Sequence, residues 1–123
     1  MRRLVALAIA GLVVTPSMAS DPDYLARMLK GRVAGTAQRC IMPDFSARPQ
    51  VIDRTAIVYY DTRGTTYVGR FKGGCPALRD YRRIAVRRTG PRLCANDAVH
   101  IAEETGGDFG FCTFSGFTPY RKK

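Results

Sequence analysis

Apolar and polar positions alternate at a period of two over much of the chain, the pattern of strands buried on one face. Residues 55–60, "TAIVYY", form a β-branched and aromatic run with strong strand character. After the turn residues Asp61-Thr62-Arg63-Gly64, "TTYVGRF" (65–71) returns, so 55–71 is predicted to be a hairpin. Gly73, Gly74 and Pro76 interrupt the pattern. "RRIAVRR" (82–88) is a further strand, turned by Thr89-Gly90-Pro91, and Ala98 to Glu103 is another. Gly106-Gly107-Asp108 turns the chain again, and Gly110 to Phe117 closes the sheet. Arg39 to Met42 is a short strand, followed by a loop from Pro43 to Pro49.

Helical spacing occurs once in this part of the chain. In "DPDYLARMLKGR" the residues Tyr24, Leu25, Met28 and Leu29 share a helix face. Asp21 or Asp23 can cap its start, and Gly31 can stop it. The expected fold is mainly β: a small antiparallel barrel or curled sheet of five to six short strands with one N-terminal helix. The helix is expected to cover an edge or an open end.

The first residues change the picture of where the chain works. Met1-Arg2-Arg3 is a basic head, and Leu4 to Val14 is an unbroken apolar run of 11 residues. Pro16 follows, and Ser17-Met18-Ala19 supplies small residues before a cleavage point between Ala19 and Ser20. This is the layout of a secretory signal peptide, and the run is too short for a span of roughly 20 residues. The expected organisation is a cleaved leader over 1–19, a helix and linker over 20–36, a disulfide-stapled β domain over 37–120 and a basic tail over 121–123. A bacterial periplasm, or secretion beyond it, is the expected destination, with no transmembrane span after cleavage. The remaining 104 residues of the 123 make one domain.

All four cysteines lie beyond the leader: Cys40, Cys75, Cys94 and Cys112. An even number in a small exported chain predicts two disulfides. The gaps are too wide, and the single histidine too few, for a zinc site. A catalytic thiol would need a free cysteine beside a base. No metal and no cofactor is therefore expected. Three pairings are open. Tying the opening strand to the last favours Cys40–Cys112, with Cys75–Cys94 nested inside. The two rings would contribute roughly 4 and 3 kcal/mol. The inner bond works only if residues 73–81 cross back, because a tight hairpin there would set Cys75 and Cys94 at opposite ends of a strand.

"LCANDAVHIAEE" (93–104) gathers a cysteine, an aspartate, the only histidine and two glutamates. In an alternating strand Val99 and Ile101 mark the inner face, so His100 points outward. Asn96-Asp97 is a turn pair that satisfies local backbone groups. Glu103-Glu104 ends the strand at solvent. A structural role accounts for each residue. The alternative is a small secreted hydrolase, ribonuclease-like or glycan-directed, using His100 with Glu103 or Glu104 and an arginine. Four strand residues span roughly 13 Å, which separates His100 from Glu104.

Charge adds one more feature. The chain carries +10, and +8 once Arg2 and Arg3 are removed. The densest run is "RDYRRIAVRRTGPR" (79–92). Arg83 and Arg87 alternate with Ile84 and Val86 and should face solvent, while Arg82 and Arg88 stand at the strand ends. A solvated surface accounts for this run; the functional alternative is an anion-binding face, with these four as its candidate residues. Anionic envelope components or an acidic protein are the expected partners, and export makes nucleic acid a poor physiological one. The oligomeric state is left open.

Five short segments carry a resemblance: "RCI" (39–41), "VIDRTAIVYY" (51–60), "GGCPAL" (73–78), "LCANDAVHI" (93–101) and "FCTFSGFTPY" (111–120). Their order resembles a family of small exported proteobacterial proteins of unknown function with four cysteines. His100 stands where that family would carry an ordinary strand residue. The resemblance implies a shared architecture and names no activity or cofactor.

Overall fold

The computed structural model describes residues 22–123. The leader expected over 1–19, its cleavage point at Ala19–Ser20 and the Asp21 cap lie outside the described residues. Helix α1 spans Pro22–Met28 and has Asp23 in its first turn, so Asp23 is not the cap. Gly31 follows in the left-handed region (φ 79°), which glycine enters without steric cost. No helix among the described residues is long and apolar enough to cross a membrane.

Nine strands follow: β1 (Arg32–Ala34), β2 (Cys40–Ile41), β3 (Gln50–Ile52), β4 (Ala56–Tyr60), β5 (Thr66–Phe71), β6 (Arg83–Arg87), β7 (Leu93–Cys94), β8 (Ala98–Ala102) and β9 (Asp108–Lys122). The main sheet runs β3-β4-β5-β9-β8-β6, with β1 paired to the far end of β9, and every pair is antiparallel. It curls into a half-barrel whose free edges are β3 and β6. A separate ribbon pairs β2 with β7. The predicted hairpin over 55–71 is β4–β5, held by Val58↔Val68 and Tyr59↔Tyr67.

β9 organises the sheet. Its first part pairs with β8 and its second with β5, and the register slips once in each part. Against β5, Arg70 faces Gly116 and Phe71 faces Phe114, so Ser115 is extra. Against β8, His100 faces Phe111 and Ala102 faces Asp108, and the surplus residue lies beside Gly110 at φ 80°. Bulges bend a strand and raise its twist, which lets a strand of 15 residues serve both halves of a curled sheet. Arg121 and Lys122, expected as a tail, are strand residues opposite Val33 and Arg32. Arg32–Ala34, expected as linker, is therefore part of the sheet.

Two apolar clusters sit on the two faces. Inside the curl, Ile57, Tyr59, Phe71, Leu78, Val99, Ile101, Phe114 and Phe117 make the main core. Gly69 permits this packing: a Cβ there would lie 2.9 Å from both the Phe114 and Phe117 rings. Behind the curl, Leu25 of the helix packs on Ile52, Ala56, Val58 and Val68. The helix therefore covers the outer face of β3–β5, rather than an edge or an open end. Burying a leucine there contributes about 1.5–3 kcal/mol.

Both disulfides form, but not in the expected pairing. The bonds are Cys40–Cys94 and Cys75–Cys112; Cys40–Cys112 and Cys75–Cys94 do not occur. The opening strand does touch the last one, through Gln38 opposite Phe117, where the two residues exchange backbone hydrogen bonds of 2.7 and 2.9 Å. Continued in that antiparallel register, Cys40 would face Ser115 and never reach Cys112. Instead the chain leaves β9 and pairs with β7, where Cys40 lies directly opposite Cys94. Phe71 opposite Phe114, and Lys72 N–H bonded to the Thr113 carbonyl at 2.9 Å, set Cys75 beside Cys112. The ring separations of 54 and 37 residues are each worth about 4 kcal/mol in the loop-entropy model. Two disulfides and no free cysteine mark an oxidising environment.

Candidate anion-binding face

Edge strand β6 places the predicted arginines. Ile84 and Val86 pack partly against the core, while Arg83 and Arg87 are exposed, as the alternation requires. Among the described residues no carboxylate lies within 4.0 Å of Arg48, Arg83 or Arg87. Their charges face solvent, unneutralised by contact.

Arg82 and Arg88 behave differently. The Arg82 guanidinium stacks 3.7 Å from the Phe109 ring centroid and donates to the Ala77 carbonyl at 2.7 Å. Its Nε is buried without a partner among the described residues. Arg88 stacks 3.9 Å from the Phe45 centroid and donates to the Pro91 carbonyl at 3.0 Å. Cation–π contact of this kind holds a guanidinium in place while leaving its charge available. The four arginines thus separate into two free and two clamped.

The gap between the free edges of the half-barrel is lined from both sides. Gln50 and Val51 of β3 stand on one side, Arg82, Arg83 and Ile84 on the other, with Arg48, Tyr81 and the carboxylates Asp80 and Glu104 around a shallow recess of about 980 Å³. Arg48 joins this face from the 43–49 loop. Its loop has no periodicity, so nothing in the sequence tied it to residue 83.

A second basic cluster was also hidden in the sequence, because its members are far apart in the chain. Arg32, Arg63, Arg121 and Lys122 surround a recess of about 560 Å³ at the end of the β4–β5 hairpin. Arg32 donates to the Gly64 carbonyl at 3.0 Å, and Arg121 Nε to the Thr65 hydroxyl at 3.3 Å. Asp61 shares this site. Burial acts to raise its pKa, but N–H groups of Thr65 and Arg63 and the Tyr67 hydroxyl outweigh that and hold it below the usual carboxylate range. Here the basic groups largely brace a turn.

His100 faces away from the core that holds Val99 and Ile101, as expected. Its Nε2 lies 2.9 Å from Asp108 Oδ1, and the same oxygen accepts the Gly110 N–H at 2.7 Å. The Gly110 amide, then His100, holds the Asp108 pKa below its ordinary value. The pair spans the β8–β9 bulge and fixes its shape. Neither Glu103 nor Glu104 is the histidine's hydrogen-bond partner. Among the described residues no group of three or more histidine, cysteine or acidic side chains is placed to hold a metal ion. Asp97 satisfies backbone as the turn reading required: buried, it accepts the Cys94 N–H at 2.7 Å.

Comparison of the chain with protein-family models, with curated proteins and with solved structures gives no match.

Proposed function

We propose that this is an exported, non-enzymatic protein of the bacterial periplasm that binds an anionic envelope component through the arginine-lined opening of its half-barrel. The observation that carries this reading is the state of Arg48, Arg83 and Arg87: three guanidinium groups about the opening, with no carboxylate in contact among the described residues. Arginine's planar fork suits phosphate and carboxylate oxygens, and its charge does not titrate away. The paired cysteines support an oxidising compartment, and the basic head, apolar run and small residues before Ser20 support export. The resemblance to small exported four-cysteine proteins agrees with that location. The hydrolase alternative has less behind it, because the partner of His100 Nε2 is Asp108 at the bulge and neither Glu103 nor Glu104.

Retention on phosphatidylglycerol vesicles and on lipopolysaccharide tests the proposal. Binding should weaken steeply as salt rises, since contact charges at a surface are screened within about 8–10 Å at physiological salt. The Arg83→Glu/Arg87→Glu double variant should lose it while keeping its thermal stability. Binding indifferent to both salt and these substitutions would remove the reading.

A further inference from the structure

The opening between the two edges has a second, smaller recess at its other end, also bounded by Pro49. This recess of about 260 Å³ is lined by Phe45 and Pro49 of the loop, Tyr59 of β4, Val86 of β6 with Arg88 just after it, and Leu93 of β7. Its walls are mostly apolar, and besides Asp44 two of its lining residues carry a polar group. One is the Arg88 guanidinium, which uses a single N–H on Pro91 and keeps its other donors. The other belongs to Tyr59, whose hydroxyl oxygen is buried in the wall.

Tyr59 is only 6% exposed, and among the described residues its hydroxyl has no hydrogen-bond partner. The ring stands edge-on to Phe114 and Phe117, at centroid distances of 6.3 and 6.5 Å. A buried, unpaired hydroxyl has given up its bonds to water with nothing in return, so a fold that keeps it bears a standing penalty. Burial raises the hydroxyl's pKa strongly and keeps it a donor at neutral pH, while the Arg88 charge acts on it in the opposite sense. Asp44, the carboxylate of this recess, is turned to its own loop by the Ser46 hydroxyl and N–H, which hold its pKa low.

We propose that this recess binds a small amphiphilic carboxylate, its apolar body among Phe45, Pro49, Val86 and Leu93 and its carboxylate on Arg88 and the Tyr59 hydroxyl. The volume lies just below the usual range of ligand pockets, which suits a medium acyl chain or a single ring on a short acid. The Phe45 ring, 3.9 Å from the Arg88 guanidinium, positions the cation. This site is independent of the surface reading above, which uses Arg48, Arg83 and Arg87, so either can fail without the other.

Calorimetric titration of the full exported protein with decanoate and with 3-phenylpropionate tests it, with decanol as the uncharged control. At least one acid should bind saturably at one site per chain, and decanol about tenfold or more weaker, as befits a lost charge-assisted hydrogen bond. Tyr59→Phe should weaken acid binding several-fold, yet melt at the same temperature as the parent or higher, because it removes an unpaired hydroxyl. Arg88→Gln should weaken it about tenfold, and Arg87→Gln should leave it unchanged. Absence of saturable binding by either acid overturns the proposal. So does affinity untouched by Tyr59→Phe and Arg88→Gln, or a Tyr59→Phe protein that melts lower.

Discussion

β4 and β6 are both strands of five residues, yet β4 buries four of its side chains and β6 buries none completely. The difference lies in what stands behind each strand. β4 has the aromatic core on its inner face and helix α1 on its outer face, so Ile57 and Tyr59 go one way and Ala56 and Val58 the other. β6 has the core on one side and solvent on the other, and its outward positions are Arg83, Ala85 and Arg87. A strand packed on two faces must be apolar throughout. A strand at a free edge with one bare face can carry charge, and charge there also discourages unwanted pairing with another sheet. One half of the molecule is thus a scaffold, and the other is a presented surface.

The largest effect should come from parting the halves. Cys75–Cys112 ties the segment after β5 to the part of β9 that pairs with β8. Replacing both cysteines by serine should cost about 2–5 kcal/mol, read as a lowered midpoint in urea unfolding. An unshifted midpoint would mean the bond contributes nothing to holding the sheet. Core truncation comes next and compares the halves directly. Ile57→Ala, at a fully buried site, should cost about 2–5 kcal/mol. Ile84→Ala, at a half-buried site on the edge, should cost about half as much or less. Equal losses would erase the distinction between scaffold and edge.

The smallest effects concern the two turn carboxylates. Asp61 in the scaffold and Asp108 at the open end both have lowered pKa values. A lowered folded pKa gives stability that is present above the unfolded value of about 4 and lost as pH falls through the folded one. Asp61→Asn should therefore lower Tm at pH 7, with the gap to the parent closing in acid. Asp108→Asn should show the same sign and a smaller shift, because that side chain is 68% exposed. Thermal scans from neutral pH into acid decide both.

Much of this was legible in the sequence where a pattern ran long enough to repeat. The β4–β5 hairpin, β6, β8 and the helix each show their period, and the outward stance of Arg83, Arg87 and His100 follows from alternation. β1, β3 and β7 are two or three residues long and show no period at all. The cystine pairing turned on where the chain after Gln38 leaves β9, which is a tertiary event. Arg48 and the Arg32–Arg63–Arg121 cluster assemble from segments far apart in sequence. Tyr59 reads as one more core aromatic, and only the surroundings of its oxygen mark it out.

Hydrogen–deuterium exchange, with and without phosphatidylglycerol vesicles, is the most direct test that the open edge is the working surface. Slower exchange confined to residues 48–51 and 82–88, with α1 and β4 unchanged, is the predicted result. Protection centred on the helix face, or none on β6, would contradict it.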